Sequence, residues 1–400
     1  MPPTPRLDYS TAGESHGPAM IALVQGLPAG LSLDMGLING ELRRRQGGYG
    51  RGGRQRIETD TVRFLAGVRR GVTIGAPLVA EVINKDSRLD DAERTPAVHR
   101  PRPGHADLAG SVKWLTTDCR ETLERASARE TAARVAAGAI AKCLLRELGI
   151  EVFGFVRRIY DAETPIEVTA DNWRDLLVKR DESEVYCFDD EASAGMIAAI
   201  RQAKIDKDTV GGLVEAHVFG CPPGLGSCAD WRDKLDARLA FAVMGIQAFK
   251  SVEIGLGKET ASRVGSAVHD PIRYDASKRD STTLGFTRDT NNAGGLEGGM
   301  TNGQPVVVRG AMKPISTLLR GLPSVDLNTK EAQQSAYERS DVCAVSAASV
   351  VMENVVAFEI ARAALEKFGG DSMIELKANH ASFMEFAKSL PLDPPTATIA

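Results

Sequence analysis

The chain has 400 residues, 43% hydrophobic and 26% charged, with a formal net charge of −4. That balance describes a globular protein with a sizeable core, and the mild acidity argues against a general nucleic-acid binder. No apolar run approaches the roughly 20 residues that span a bilayer, MPPTPRLDYS lacks the apolar centre of a signal peptide, and the six scattered cysteines (119, 143, 187, 221, 228, 343), with no C-x-x-C pair, read as reduced, mostly buried thiols of a cytoplasmic protein.

In chain order, strands are predicted at 20–27, 61–68, 77–84, 151–160, 211–220, 251–257 and 304–311. Several of these runs are rich in valine and isoleucine and are bounded by glycine or proline. A long helix is predicted over 127–149. Ser127 and Glu130 stand at capping-box spacing, Gly149 suits a left-handed cap, and Ala132, Val135, Ala136, Ala139, Ile140 and Cys143 form an apolar stripe. A second long helix is predicted over 346–370, stopped by glycine. Strands and helices alternate without a strict βαβ rhythm, so the expected class is α+β, in mixed layers. No linker separates domains: residues 1–388 read as one domain, the more acidic 160–210 as an insertion or lobe on the core, and 389–400, with three prolines, as a mobile tail.

Several segments carry candidate chemistry. GESHG (13–17) sets His16 between a serine and a glycine, as a plain turn or a piece of active site. RRRQGGYGRGGRQRIE (43–58) has six arginines and no lysine. Arginine forks hold carboxylates and phosphates in paired hydrogen bonds, and the glycines let the backbone approach a ligand. A solvated basic loop and an arginine/glycine RNA contact stand beside that clamp reading. HRPRPGHAD (99–107) places His105 after a Pro–Gly turn signal, in the active site or on the surface. ERASARETA (124–132) makes Ser127 an N-cap flanked by Arg125 and Arg129, where free N–H groups attract anions. NNAGGLEGGMTNGQP (291–305) is either a loop that wraps a planar or phosphate-bearing cofactor or a long hairpin turn. ERSDVCAV (338–345) puts Arg339 and Asp341 just ahead of a helix. No Rossmann fingerprint, Walker A motif or zinc motif is present in the right context, so no metal is expected.

Taken together and in order, GESHG, RRQGGYGRGGR, RPGHAD, ASARETAARVAAGA, NAGGLEGGMTNGQP, KPIST and RSDVCAV closely resemble chorismate synthase, over about residues 7–388. The resemblance implies a β-α-β sandwich with internal pseudo-symmetry, usually in a homotetramer. It implies conversion of 5-enolpyruvylshikimate 3-phosphate to chorismate and phosphate by 1,4-elimination, the last step of the shikimate pathway, with reduced FMN and no net redox change. By the same resemblance His16 is the general acid toward the leaving phosphate, His105 poises the reduced flavin, and Asp341 assists proton removal. Flavin contacts carry over to Arg125, Ala126, Ser127, Gln247, Ala248, Gly298, Lys313, Pro314, Ile315, Ser316, Thr317 and Arg339. NADPH contacts carry over to Arg45 and Arg51, which could instead hold substrate anions. With no added reductase domain in the sequence, an external flavin reductase is the expected partner, with NADPH as an indirect reductant and with neither nucleic acid nor membrane. An RNA-binding protein using GGYGRGGR is the alternative from another class, and predicts salt-sensitive nucleic-acid retention without flavin dependence. A catalytically silent relative is the other alternative, against which the intact histidines and Asp341 speak.

Overall fold

The computed structural model describes residues 7–53, 58–338 and 341–390. The first half builds β1 (Asp8–Ala12), β2 (Ala19–Gln25), α1 (Met35–Gln46), β3 (Val62–Ala66), β4 (Leu78–Ile83), α2 (Asp107–Trp114), α3 (Arg120–Arg125) and α4 (Thr131–Arg146). Then follow β5 (Glu151–Ile159), β6 (Ala162–Glu163), α5 (Trp173–Glu182), α6 (Asp190–Ile205), β7 (Gly212–Phe219), α7 (Leu235–Met244), β8 (Phe249–Ile254), β9 (Val306–Met312), α8 (Val345–Phe368) and α9 (Met373–Lys388). All seven expected strands form, each within three residues of its predicted bounds; β1, β6 and several strands of two or three residues went unread.

The strands make two antiparallel sheets, ordered β1-β2-β4-β3 and β8-β9-β7-β5-β6. In β2 and β4 burial alternates, so Met20, Ala22, Val24, Leu78, Ala80 and Val82 point to one face. There α4 covers the sheet, while α8 covers β5, β7 and β9 of the second sheet, and the two helices pack on each other. Both helices are buried on nearly every side, which explains their dense alanine and valine in place of a simple stripe. The closest approach is at Gly138, where a Cβ would lie 2.3 Å from the Asn354 carbonyl oxygen.

The helix predicted over 127–149 has a different start. Ser127 caps a short 3-10 turn, Ala128–Glu130, which runs into α4. Glu130 does not close a capping box: its carboxylate accepts from Thr11 Oγ1, Arg134 Nε and Gln247 Nε2. The box forms instead at α9, between Ser372 and Glu375. Segment 160–210 supplies α5, α6 and the loop between them. Trp173, Leu176 and Phe188 from it join Phe153, Phe155 and Phe219 of β5 and β7 in a second apolar cluster. Five of the six cysteines are buried, and none is paired. Among the described residues no helix is long and apolar enough to cross a membrane. Of the tail expected to be mobile, residues from 391 onward lie outside the described residues.

Candidate active site

His16 sits in the turn joining β1 to β2. Gly13 makes that turn possible: it adopts φ +108, and a Cβ there would stand 2.2 Å from the Ala19 carbonyl oxygen. The imidazole is held from α3. Glu124, its side chain fully buried, accepts from the His16 backbone N–H (2.8 Å) and lies 2.9 and 3.0 Å from Nδ1. Burial alone would raise the Glu124 carboxyl, but hydrogen bonds and charge from His16, with Arg120, outweigh it and hold it below the usual range. An acceptor-only carboxylate fixes Nδ1 as the donor, so Nε2 lies toward Asp86 (3.7 Å) and Arg88 (3.3 Å).

His105 occupies the expected Pro–Gly turn, with Gly104 at φ +77 and its own N–H on the Arg102 carbonyl. Its Nδ1 makes a short contact with Asp107. Asp107 also accepts from Arg102 Nε (2.8 Å) and Nη2 (3.0 Å), while Arg102 Nη1 reaches Thr317 Oγ1 (3.0 Å). Burial pushes the Asp107 carboxyl up, and its bonds to His105 and Arg102 bring it well below the ordinary carboxylate range. This cluster joins the turn before α2 to the KPIST segment after β9.

Asp341 was expected to answer a helix N-terminus and Arg339. Arg339 lies outside the described residues, and the N-cap of α8 is Ala344. The partners of Asp341 come from the arginine segment instead: Oδ1 accepts from the Gly52 N–H (2.6 Å) and Oδ2 pairs with Arg51 Nη1 (2.7 Å).

One cavity of about 690 Å³ gathers His16, His105 and Asp341. Ala126, Ser127, Gln247, Ala248, Lys313, Ile315, Ser316, Thr317, Arg45 and Arg51 also line it. Seven arginine and lysine side chains face four carboxylates, an excess of positive charge suited to a polyanion. Burial and the neighbouring Lys250 lower the Lys313 ammonium.

Other expected residues lie elsewhere. Arg125 donates to the carbonyls of Thr11 and Gly13, bracing the His16 turn. Pro314 does not line the cavity. Gly298 is at the tip of a hairpin, Leu296–Glu297 paired with Met300–Thr301, and no residue of 291–305 lines the cavity. The glycines of GGYG also have another use. A Cβ at Gly47, Gly48 or Gly50 would strike Tyr186, Ser346 or Ile200, so the backbone there approaches protein, not ligand.

Arg45 is buried, and its Nη2 pairs with Asp60 (2.7 Å), which Arg129 grips from the other side. Burial lowers the Arg45 guanidinium to about 10, against the pull of Asp60. Glu124, Asp107, Arg88, Arg102 and Lys250 went unassigned in the sequence. Asp107, Arg102 and Glu124 all stand inside quoted segments, but Glu124 is 108 residues from the group it holds.

The chorismate synthase family profile matches residues 7–365. A chorismate synthase of Desulforudis audaxviator is 53% identical over 391 residues, covering 95% of this chain and 97% of its own. One from Acidobacterium capsulatum is 52% identical, covering 95% and 98%. A crystal structure of chorismate synthase superposes with a TM-score of 0.78 at 39% identity, over 96% of this chain and 98% of that one. With most of its motifs gathered around one cationic cavity and 95% of its length shared with these relatives, the chain belongs to the chorismate synthase family, lyases of the last step of the shikimate pathway.

Proposed function

We propose that this cavity converts 5-enolpyruvylshikimate 3-phosphate to chorismate and phosphate by 1,4-elimination, with reduced FMN as cofactor. The observation that carries the reading is the convergence of two carboxylate-held histidines and one arginine-paired aspartate on a single cavity with excess positive charge. The residues fit the cofactor. Arg51 Nε is a buried donor without a hydrogen-bond partner, and Gln247 Oε1 is a buried acceptor without one. A ligand with anionic oxygens and a heterocyclic N–H satisfies both kinds. Ala126, Ser127, Gln247, Ala248 and Lys313 to Thr317 would hold it, along with Arg339 by resemblance. When bound, reduced FMN would supply electron density as the phosphate leaves.

The chain's own groups do the rest. The arginines and lysines bind two carboxylates and a phosphate with charge-assisted hydrogen bonds. As an imidazolium that keeps its Nδ1 proton on Glu124, His16 donates the Nε2 proton to the leaving phosphate oxygen. His105, fixed at Nδ1 by Asp107, would hold or pass a proton at Nε2. Asp341, paired with Arg51, assists removal of the proton lost from ring carbon 6. The reading extends to one catalytic domain over residues 1–388 in a pseudo-symmetric β-α-β sandwich, to a cytoplasmic homotetramer, and to FMN reduced by an external flavin reductase with NADPH as an indirect reductant.

A spectral titration tests it. Adding 5-enolpyruvylshikimate 3-phosphate to the protein with FMN should perturb the flavin spectrum saturably. A spectrum unchanged at saturating substrate would overturn the shared-cavity reading.

A further inference from the structure

Segment 160–210 carries no residue of the proposed chemistry, yet its loop 183–187 lies under the arginine segment. Tyr186 adopts φ +58, a left-handed conformation that aromatic residues rarely take and that persists where surroundings impose it. Here they do. The Tyr186 carbonyl accepts from the Val156 N–H (2.9 Å) in β5, and the neighbouring Val185 carbonyl accepts from Ser346 Oγ (3.2 Å) in the first turn of α8.

That conformation sends the buried ring to the end of α1. Tyr186 Oη donates to the Arg44 carbonyl (2.8 Å), the same oxygen that receives the Gly47 N–H (3.0 Å). The fit is tight: a Cβ on Gly47 would stand 2.2 Å from Oη and 3.3 Å from Cζ. Two further contacts continue the seam. The Tyr49 N–H donates to the Glu184 carbonyl (2.7 Å), and a Cβ on Gly50 would meet Ile200 of α6 at 2.7 Å. The opposite edge of the same loop is bonded to the Asp341 segment. The Gly50 carbonyl accepts from the Val342 N–H (2.9 Å), and Gly52 and Arg51 bind the Asp341 carboxylate.

We infer that Tyr186 is a positioning residue: through its hydroxyl on the end of α1, segment 160–210 buttresses the arginine loop and so sets the Arg51–Asp341 pair. The inference rests on the reading of Asp341 as a group that assists proton removal. A displaced Asp341 slows that step more than it weakens ligand binding, so the effect belongs to kcat and to the isotope effect at ring carbon 6.

The test compares wild type, Tyr186→Phe, Gly47→Ala, the double variant and Asp341→Asn, assayed anaerobically with reduced FMN and substrate carrying hydrogen or deuterium at carbon 6. Tyr186→Phe should lower kcat about tenfold, leave KM within about twofold, and enlarge the isotope effect. Gly47 lies at φ −75 and ψ −174, which alanine adopts freely, so its added methyl meets only the hydroxyl as a serious obstacle. Gly47→Ala should therefore be slower than Tyr186→Phe, and the double variant should recover to the Tyr186→Phe level. Wild-type kcat and isotope effect in Tyr186→Phe, with Asp341→Asn impaired, would overturn the inference alone. So would a double variant as slow as Gly47→Ala. Wild-type turnover in Asp341→Asn would remove the reading of Asp341 beneath it.

Discussion

The two histidine stations solve one problem with opposite chain topologies. At His105 the orienting carboxylate is local: Arg102, His105 and Asp107 lie within six residues, and a Pro–Gly turn with the start of α2 brings them together. At His16 the orienting carboxylate is distant. Its turn is shaped by Gly13, but the carboxylate that orients the ring comes from α3, 108 residues away, and α3 also binds the Ser15 N–H and the His16 N–H. A carboxylate behind an imidazole fixes which nitrogen faces the reaction, and the fold can deliver that carboxylate along the chain or across it. The local station is shared with a cation, since Asp107 grips Arg102 as well. The distant one is linked to structure, since Arg120 joins Glu124 to Glu338.

The largest expected effect treats the two stations alike. His16→Ala and His105→Ala should each keep the fold and lose about 10²–10⁴-fold in turnover, the range for removing a general acid or base. Circular dichroism and anaerobic turnover check this, and a variant at the wild-type rate would reduce that station to a structural turn.

The next experiment separates them. Glu124→Gln and Asp107→Asn should each lower turnover about 10–100-fold by misplacing an imidazole. Asp107→Asn also frees the Arg102 guanidinium and should raise KM, whereas Glu124→Gln should leave KM nearly unchanged. Steady-state kinetics in parallel decide, and a matched rise in KM for both variants would break the contrast.

Arg51 sharpens the comparison as a cation outside both stations. Arg51→Ala should weaken binding of an anionic ligand by about 1.5 kcal/mol, roughly tenfold, with lysine rescuing only in part. Arg45→Ala should act mainly on stability, because its guanidinium is spent on Asp60. Isothermal titration with substrate and with NADPH, beside thermal melts, distinguishes the two arginines.

The smallest effect is on acid stability. Glu124 and Asp107 both titrate lower in the folded protein than in the unfolded chain. Stability linked to them is fully present above the unfolded values, about 4.3 and 3.9, and is lost as pH falls below these toward the folded values. Glu124→Gln and Asp107→Asn should therefore flatten the fall of Tm below about pH 4.3. An unchanged slope in either variant would show that its carboxylate is not linked to folding.

The same contrast explains what the sequence made legible. Local periodicity revealed seven strands and both central helices, because β-branched runs and helical spacing act over a few residues. Gly104 and His105 were legible as a turn for the same reason. Long-range partners were not. Nothing near His16 points to Glu124, nothing near Asp341 points to Arg51, and the three arginines of 43–45 look alike. In the fold Arg43 is exposed, Arg44 pairs with Glu41 and Glu353, and Arg45 pairs with Asp60. Glycine is ambiguous in a related way: it marks where something comes close without saying what. In GGYG the close neighbours are Tyr186, Ser346 and Ile200, and at 294–299 they are other strands and turns. The capping box failed because Glu130 had stronger partners in Arg134, Gln247 and Thr11 than the end of its own helix.

The most direct measurement of the central claim is anaerobic incubation of the protein with chemically reduced FMN and 5-enolpyruvylshikimate 3-phosphate, with chorismate and phosphate quantified together. The cavity as described predicts the two products in equal amounts with reduced FMN, and neither with oxidised FMN. Absence of chorismate with properly reduced FMN would contradict it.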